Sequence, residues 1–90
     1  MKIQLDLSSE LSLYLTKLQL DEAIGLQSYI NENCYLICSY NTVEILFRCC
    51  LDTYGEYVGN FISIDKEKYK YMGYRIIFDN TLPLGQIEVI

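Results

Sequence analysis

The sequence predicts an α+β fold with an N-terminal strand, one long helix (or two short ones), and then a mainly antiparallel sheet of four to six strands with the helix packed on one face. Apolar residues alternate with polar ones at the start, recur at helical spacing up to residue 30, and from residue 34 lie in short β-forming segments separated by turns. Consecutive short strands favour antiparallel pairing under a helical layer. Residues 1–90 are expected to form one domain, because the chain is too short for two cores.

The first strand is predicted in KIQLDL, where Ile3, Leu5 and Leu7 fall on one face. Ser8 or Ser9 can then cap a helix, because a serine oxygen accepts hydrogen bonds from free N–H groups in the first turn.

The helix is predicted from an apolar stripe that widens along the chain and ends near Asn31. Gly25 either divides the helix or lies inside it at a cost of about 1 kcal/mol relative to Ala. The apolar residues of this predicted stripe are Leu11, Leu13, Tyr14, Leu15, Leu18, Leu20, Ala23, Ile24, Leu26, Tyr29 and Ile30.

The second part of the chain is predicted to be strands. In VEILFRCCL, alternation places Phe47, Cys49 and Leu51 on the core side and Arg48 and Cys50 on the other. TYGEYVGN indicates a turn, and Pro83 is expected in a connection, because it cannot donate a ladder hydrogen bond. The other predicted strands are CYLICSY, FISID, KEKYKYM, YRIIF and QIEVI, with the lysine-bearing KEKYKYM expected at a sheet edge.

The absence of histidine removes the commonest general base and the commonest metal ligand. Cysteines occur at 34, 38, 49 and 50, and two cysteines adjacent on a strand would point to opposite faces, which disfavours a shared zinc ion. We expect free, buried thiols that behave as small apolar side chains. No enzymatic activity, no cofactor and no metal are therefore predicted.

The net charge of −5 is unevenly placed. Residues 1–60 hold eight acidic and three basic residues, which accounts for the whole excess, and residues 61–90 hold four of each. This balance disfavours nucleic acid as a partner. It suits solubility alone, which is the simpler interpretation, or binding to a basic protein surface. The sequence contains no signal peptide and no apolar run that could span a membrane, so a soluble protein of the cytoplasm (the host cytoplasm, for a viral protein) is expected.

A partner-binding turn is predicted from the tyrosine content. The chain has nine tyrosines and no tryptophan, and tyrosine combines a large contact area with a polar tip that suits interfaces. The acidic, aromatic set Asp52, Tyr54, Glu56 and Tyr57 follows the cysteine pair. The predicted partner-binding residues are these four together with Lys68 and Lys70.

Two stretches resemble known families. Residues 2–31 (KIQLDL, SSELSLYLTKL and GLQSYIN) resemble a ribbon-helix-helix DNA-binding arm, which would imply that Lys2, Gln4 and Asp6 face DNA. The end, GYRIIFDNTLPLGQIEVI, is similar to the closing strands of phage major capsid proteins, which would imply a viral origin. No single family is recognised.

The sequence thus predicts a small acidic non-catalytic binding protein of an intracellular or phage-encoded kind, which docks on a host or partner protein as an inhibitor or adaptor and could compete with nucleic acid. One alternative is a structural, self-assembling subunit such as a viral accessory component, in which the chain forms a homo-oligomer. A further alternative is a nucleic-acid-binding regulator that uses the ribbon-helix-helix-like N-terminus.

Overall fold

A mixed β-sheet covered on one face by two α-helices forms the described part of the chain, residues 1–66 and 68–90 of a computed structural model. This arrangement confirms the predicted α+β fold. The elements are β1 (Lys2–Gln4), α1 (Glu10–Ile30), β2 (Leu36–Cys38), α2 (Tyr40–Tyr54), a 3-10 helix (Gly55–Asn60), β3 (Ile62–Asp65), β4 (Lys68–Tyr71), β5 (Tyr74–Phe78) and β6 (Gln86–Val89).

The six strands lie in the order β1-β6-β2-β5-β4-β3. Only β2 and β5 pair in parallel among the described strands, and the other neighbours are antiparallel. The strand β4 lies between β5 and β3, so the expectation that the lysine strand forms a sheet edge was wrong. That predicted strand also included Glu67, which lies outside the described residues.

The two faces of the sheet differ in burial. Directly paired residues of neighbouring strands point to the same side, so the register shows which residues share a face. One face packs against both helices and carries Leu36, Ile76 and Tyr71. The opposite face carries Lys2, Ile77 and Arg75, which are exposed. The fully buried apolar residues of the core are Leu5, Leu20, Ile24, Leu36, Leu46, Cys38, Cys50, Tyr71, Ile87 and Val89.

Helix α1 is continuous, with Gly25 inside it. Of the two predicted caps, Ser9 is the one used, since its side chain accepts a hydrogen bond of 3.0 Å from the Ser12 N–H. The helix ends at Asn31, as the sequence indicated. The unbroken helix differs from the two-helix arm that the ribbon-helix-helix resemblance implies.

Helix α2 replaces the strand predicted in VEILFRCCL, and this prediction was wrong. Ser39 caps the helix by accepting a 3.2 Å hydrogen bond from the Thr42 N–H, and Gly55, with φ of +58°, ends it. Helical spacing buries Cys49 and Cys50 together instead of separating them. The side chains of Phe47 and Leu51, expected in the core beside Cys49, are partly exposed instead.

Candidate functional site

The outward side of α1 carries a row of exposed apolar residues. Leu20 and Ile24 of the inward side are fully buried in the core. On the outward side, the exposed fraction of the side chain is 67% for Leu11, 50% for Leu15 and 94% for Tyr29. We call this surface the outer stripe, and its residues are Leu11, Leu15, Leu18, Leu26, Tyr29 and Ile30.

The outer stripe lies opposite the buried side because each residue of an α-helix turns the chain by about 100°. Leu15 and Leu20 are thus carried to opposite sides of the same helix. With a rise of about 1.5 Å per residue, the stripe from residue 11 to residue 30 is about 28 Å long and about 10 Å wide. An area of about 300 Å² lies at the lower end of the range for the largest apolar patch on a monomer, and such patches are often functional.

One acidic residue interrupts the outer stripe near its middle. Glu22 is exposed and lies between Leu18 and Leu26 on the same side of the helix. The only base in α1 is Lys17, which is 1% exposed and lies on the inward side. The outer stripe is therefore apolar with an acidic centre.

The charge of Lys17 is satisfied inside the protein. Its Nζ lies 2.7 Å from Asp21 Oδ2 and donates a hydrogen bond to the Tyr54 hydroxyl, while the Tyr71 hydroxyl donates a 2.5 Å hydrogen bond to Asp21 Oδ1. The ammonium also lies 4.6 Å from the centre of the Tyr54 ring and 5.3 Å from that of Phe61. These contacts join α1 to the end of α2 and to β4.

The pKa values of this network follow from burial and pairing. Burial alone would lower the pKa of Lys17, but the hydrogen bonds to Asp21 and Tyr54 and the attraction of the Asp21 carboxylate raise it overall. Burial, followed by the hydrogen bond to Asp21, raises the pKa of the Tyr71 hydroxyl. Lys17 is thus held charged and out of contact with solvent, which suits a structural ion pair and gives no access to a substrate.

The predicted partner-binding turn is divided in the structure. Asp52 and Tyr54 lie in the last turn of α2, and Glu56 and Tyr57 lie in the 3-10 helix. The Tyr54 ring stacks on Phe61 with centroids 3.7 Å apart, so it serves the interior. Asp52, Glu56 and Tyr57 are exposed, with Tyr57 63% exposed, and they remain open to a partner.

The predicted lysines lie on a different surface. Lys68 and Lys70 are exposed on the face of the sheet turned away from the helices, and Lys70 is paired across the strands with Arg75. Tyr69 and Tyr71 of the same strand point to the opposite face, where Tyr71 is fully buried. The structure therefore does not bring Lys68 and Lys70 together with the turn from Asp52 to Tyr57.

Two open grooves flank α2. The first, of about 440 Å³, lies between α2 and the β3–β4 end of the sheet and includes Phe47, Leu51 and Ile64 in its lining. The second, of about 620 Å³, lies between the start of α1 and α2 and includes Leu13 and Cys49. Both are mainly apolar.

The four cysteines are free and buried, as expected. Burial raises the pKa of Cys38 and of Cys50 to about 12, and it is also the main cause of the raised pKa of Cys34 and Cys49. Because the thiolate is the nucleophile and the metal ligand, these thiols are poorly suited to either role near neutral pH. Within residues 1–66 and 68–90, no three His, Cys, Asp or Glu residues are grouped so that they could hold a metal ion.

Sequence reasoning missed the outer stripe because it combined all the apolar residues of α1 into one stripe. The signal was nevertheless present, since apolar residues occur all round α1, and a helix of this kind needs cover on every side. Lys17 was also missed. Its spacing of three from Leu20 and four from Leu13 places it on the buried side.

Comparison of the chain with family models, with curated proteins and with solved structures finds no match. Neither of the helices in the described part of the chain is long and apolar enough to cross a membrane.

Proposed function

We propose that this protein is a small non-catalytic binding module that docks on another protein through the outer stripe of α1. The single observation that supports this most directly is the pair of apolar sides on one helix, one buried and one exposed over about 28 Å. Leaving this surface in water costs free energy that a partner would recover, at roughly 25 cal/mol per Å² of apolar area buried. The exposed Asp52, Glu56 and Tyr57 lie outside the outer stripe and are a secondary contact region.

A non-catalytic role is supported by the chemistry of the side chains. The chain has no histidine, its thiols are buried with raised pKa values, and the Lys17 side chain, which is paired with Asp21, is 1% exposed. A general acid or base must come within hydrogen-bonding distance of a substrate, and the buried Lys17 lacks that access.

The proposal is tested with Leu15→Asp and the matched control Leu84→Asp. Leu15 is 50% exposed on the outer stripe and Leu84 is 48% exposed in the loop before β6, so the two changes are alike in chemistry and exposure. Tagged wild-type protein and both variants are used to capture proteins from host lysate, after circular dichroism has shown that all three are folded.

We expect the wild type and Leu84→Asp to capture one or more partner proteins. Leu15→Asp should not capture them. Capture that survives Leu15→Asp would contradict docking through the outer stripe. Failure to capture any protein, combined with tight and salt-sensitive binding of DNA or RNA, would instead favour the nucleic-acid-binding alternative.

A further inference from the structure

We infer that the outer stripe receives an amphipathic helix that places a lysine or arginine against Glu22. This inference rests on the proposed function and specifies the partner. It follows from the spacing of the exposed residues, from the single charge among them, and from the lack of an exposed base on α1 that a second α1 helix could supply.

The spacing of the outer stripe fits a helix. Leu11, Leu15, Leu18, position 22, position 25 and Tyr29 are separated alternately by four and three residues. This is the seven-residue repeat by which one helix packs along another, and four of the six positions carry apolar side chains. A strand would match its side chains every second residue and would not follow this line.

Position 25 of this line is a glycine, which has no side chain. Gly25 is exposed, and a Cβ built there would have no atom within 4 Å. The line therefore has a notch beside Leu26 that accepts a large side chain from the partner helix. A glycine here lowers the stability of the helix by about 1 kcal/mol relative to Ala. Because glycine has no side chain, a second helix can approach closely at this position.

The charge of the outer stripe determines the chemistry of the partner. Glu22 occupies the line between Leu18 and Gly25, so a helix that covers these residues also covers the carboxylate. Covering an ionised carboxylate without a partner is costly. Because Lys17, the only base of α1, is buried and bonded to Asp21, the compensating base has to come from the other helix.

A symmetric pair of α1 helices from two copies of this chain does not supply that base. In an antiparallel pair of α1 helices centred on Leu20, Leu18 would face Glu22 of the other copy, and in a parallel pair the two Glu22 side chains would face each other. Each arrangement covers two carboxylates with no base of α1 to pair with them. Two chains of net charge −5 also repel.

The test uses two synthetic helical peptides of 21 residues that differ only at two central positions. Both carry leucine along a seven-residue repeat, with either lysine or glutamate at the two central line positions, so that one of these residues faces Glu22 in either orientation. Binding to the full chain is measured by isothermal titration calorimetry at low salt. The chain variants are Glu22→Lys, the control Glu44→Lys, which makes the same change of net charge at an exposed position of α2 off the stripe, and Leu15→Asp.

We expect the wild type to bind the lysine peptide about tenfold more tightly than the glutamate peptide. The lysine peptide makes one attractive pair with Glu22 and the glutamate peptide makes one repulsive pair, and each pair contributes about 1 kcal/mol or less. Glu22→Lys should reverse this preference, and Glu44→Lys should leave it in place. A preference that Glu22→Lys does not change, or that Glu44→Lys changes equally, would overturn the inference.

Failure of the inference and failure of the proposed function give different results. If both peptides bind equally and Leu15→Asp abolishes both, the inference fails and docking through the outer stripe stands. If Leu15→Asp leaves binding unchanged, or if neither peptide binds, both fail. If light scattering detects a dimer of the wild type that Leu15→Asp dissociates, the occupant is a second copy and the inference is overturned.

Discussion

The buried ion pair between Lys17 and Asp21 gives the sharpest stability prediction. Asp21→Asn removes the negative charge while keeping the size of the side chain, and it leaves the Lys17 ammonium inside the protein without its counter-charge. Breaking a buried pair in this way costs about 3–5 kcal/mol. We expect about 3 kcal/mol, the lower end, because the side chain of Asp21 is 20% exposed and water can compensate in part.

This loss would be large for the whole molecule, since domains commonly have a free energy of unfolding of about 5–15 kcal/mol. It is measured by urea titration followed by circular dichroism at pH 7, with ΔG extrapolated to water. The control is Asp52→Asn, which neutralises an exposed carboxylate and should stay within about 0.5 kcal/mol of wild type.

The double variant Lys17→Met and Asp21→Leu separates the cost of an unpaired charge from the value of the pair. Removing both charges avoids the unpaired ammonium, but it leaves the buried Tyr71 hydroxyl without its acceptor. The double variant should therefore recover only part of the stability that Asp21→Asn loses. If Asp21→Asn costs less than about 1 kcal/mol, or no more than Asp52→Asn, Lys17 is not held in a buried pair and the reasoning is refuted.

Three further results are expected. Gly85→Ala should cost about 1–3 kcal/mol, because Gly85 has φ of +84° and an added Cβ would lie 2.7 Å from Gln4 Nε2 and 3.1 Å from the Leu5 carbonyl oxygen; a Tm equal to that of wild type would contradict this. The contribution of Cys38 and Cys50 to the free energy of unfolding should be complete below the ordinary thiol pKa of 9.0 and be lost as the pH rises toward 12, because these thiols, with pKa values raised to about 12, ionise more readily in the unfolded chain. A urea series in which stability does not fall between pH 9 and pH 12 would exclude it. Leu20→Ala should cost about 2–5 kcal/mol and Leu15→Ala less than about 1 kcal/mol, since only Leu20 is buried; equal losses in urea titrations would show that the two sides of α1 are wrongly assigned.

The sequence was sufficient to predict α1 and most of the strands because these segments have strong local signals. Ser9 and Asn31 mark the ends of α1, and Pro83 lies in the connection before β6, as expected. The segment from 43 to 51 was ambiguous, because its apolar residues fit a period of two as well as a helical one. The decisive signals were at its ends, where Ser39 caps the helix and Gly55 ends it.

The candidate site was harder to predict, because exposure depends on which side of a helix the sheet covers. The α1 sequence offers apolar residues on both sides, and only the packing of Leu20 and Ile24 on the sheet assigns Leu11 and Leu15 to the outside. Tyr54 is the opposite case, because it was predicted to contact a partner and is half-buried. Its ring stacks on Phe61 and its hydroxyl accepts a hydrogen bond from Lys17.

The most direct test of docking through the outer stripe is an NMR titration of the isotope-labelled chain with the lysine peptide. Amide shift changes should be largest along α1 at Leu15, Leu18 and Glu22, and small at Tyr57 in the 3-10 helix and at Lys70 on the far face of the sheet. Shift changes concentrated at Tyr57 or Lys70, with α1 unaffected, would contradict the assignment of the outer stripe as the docking surface.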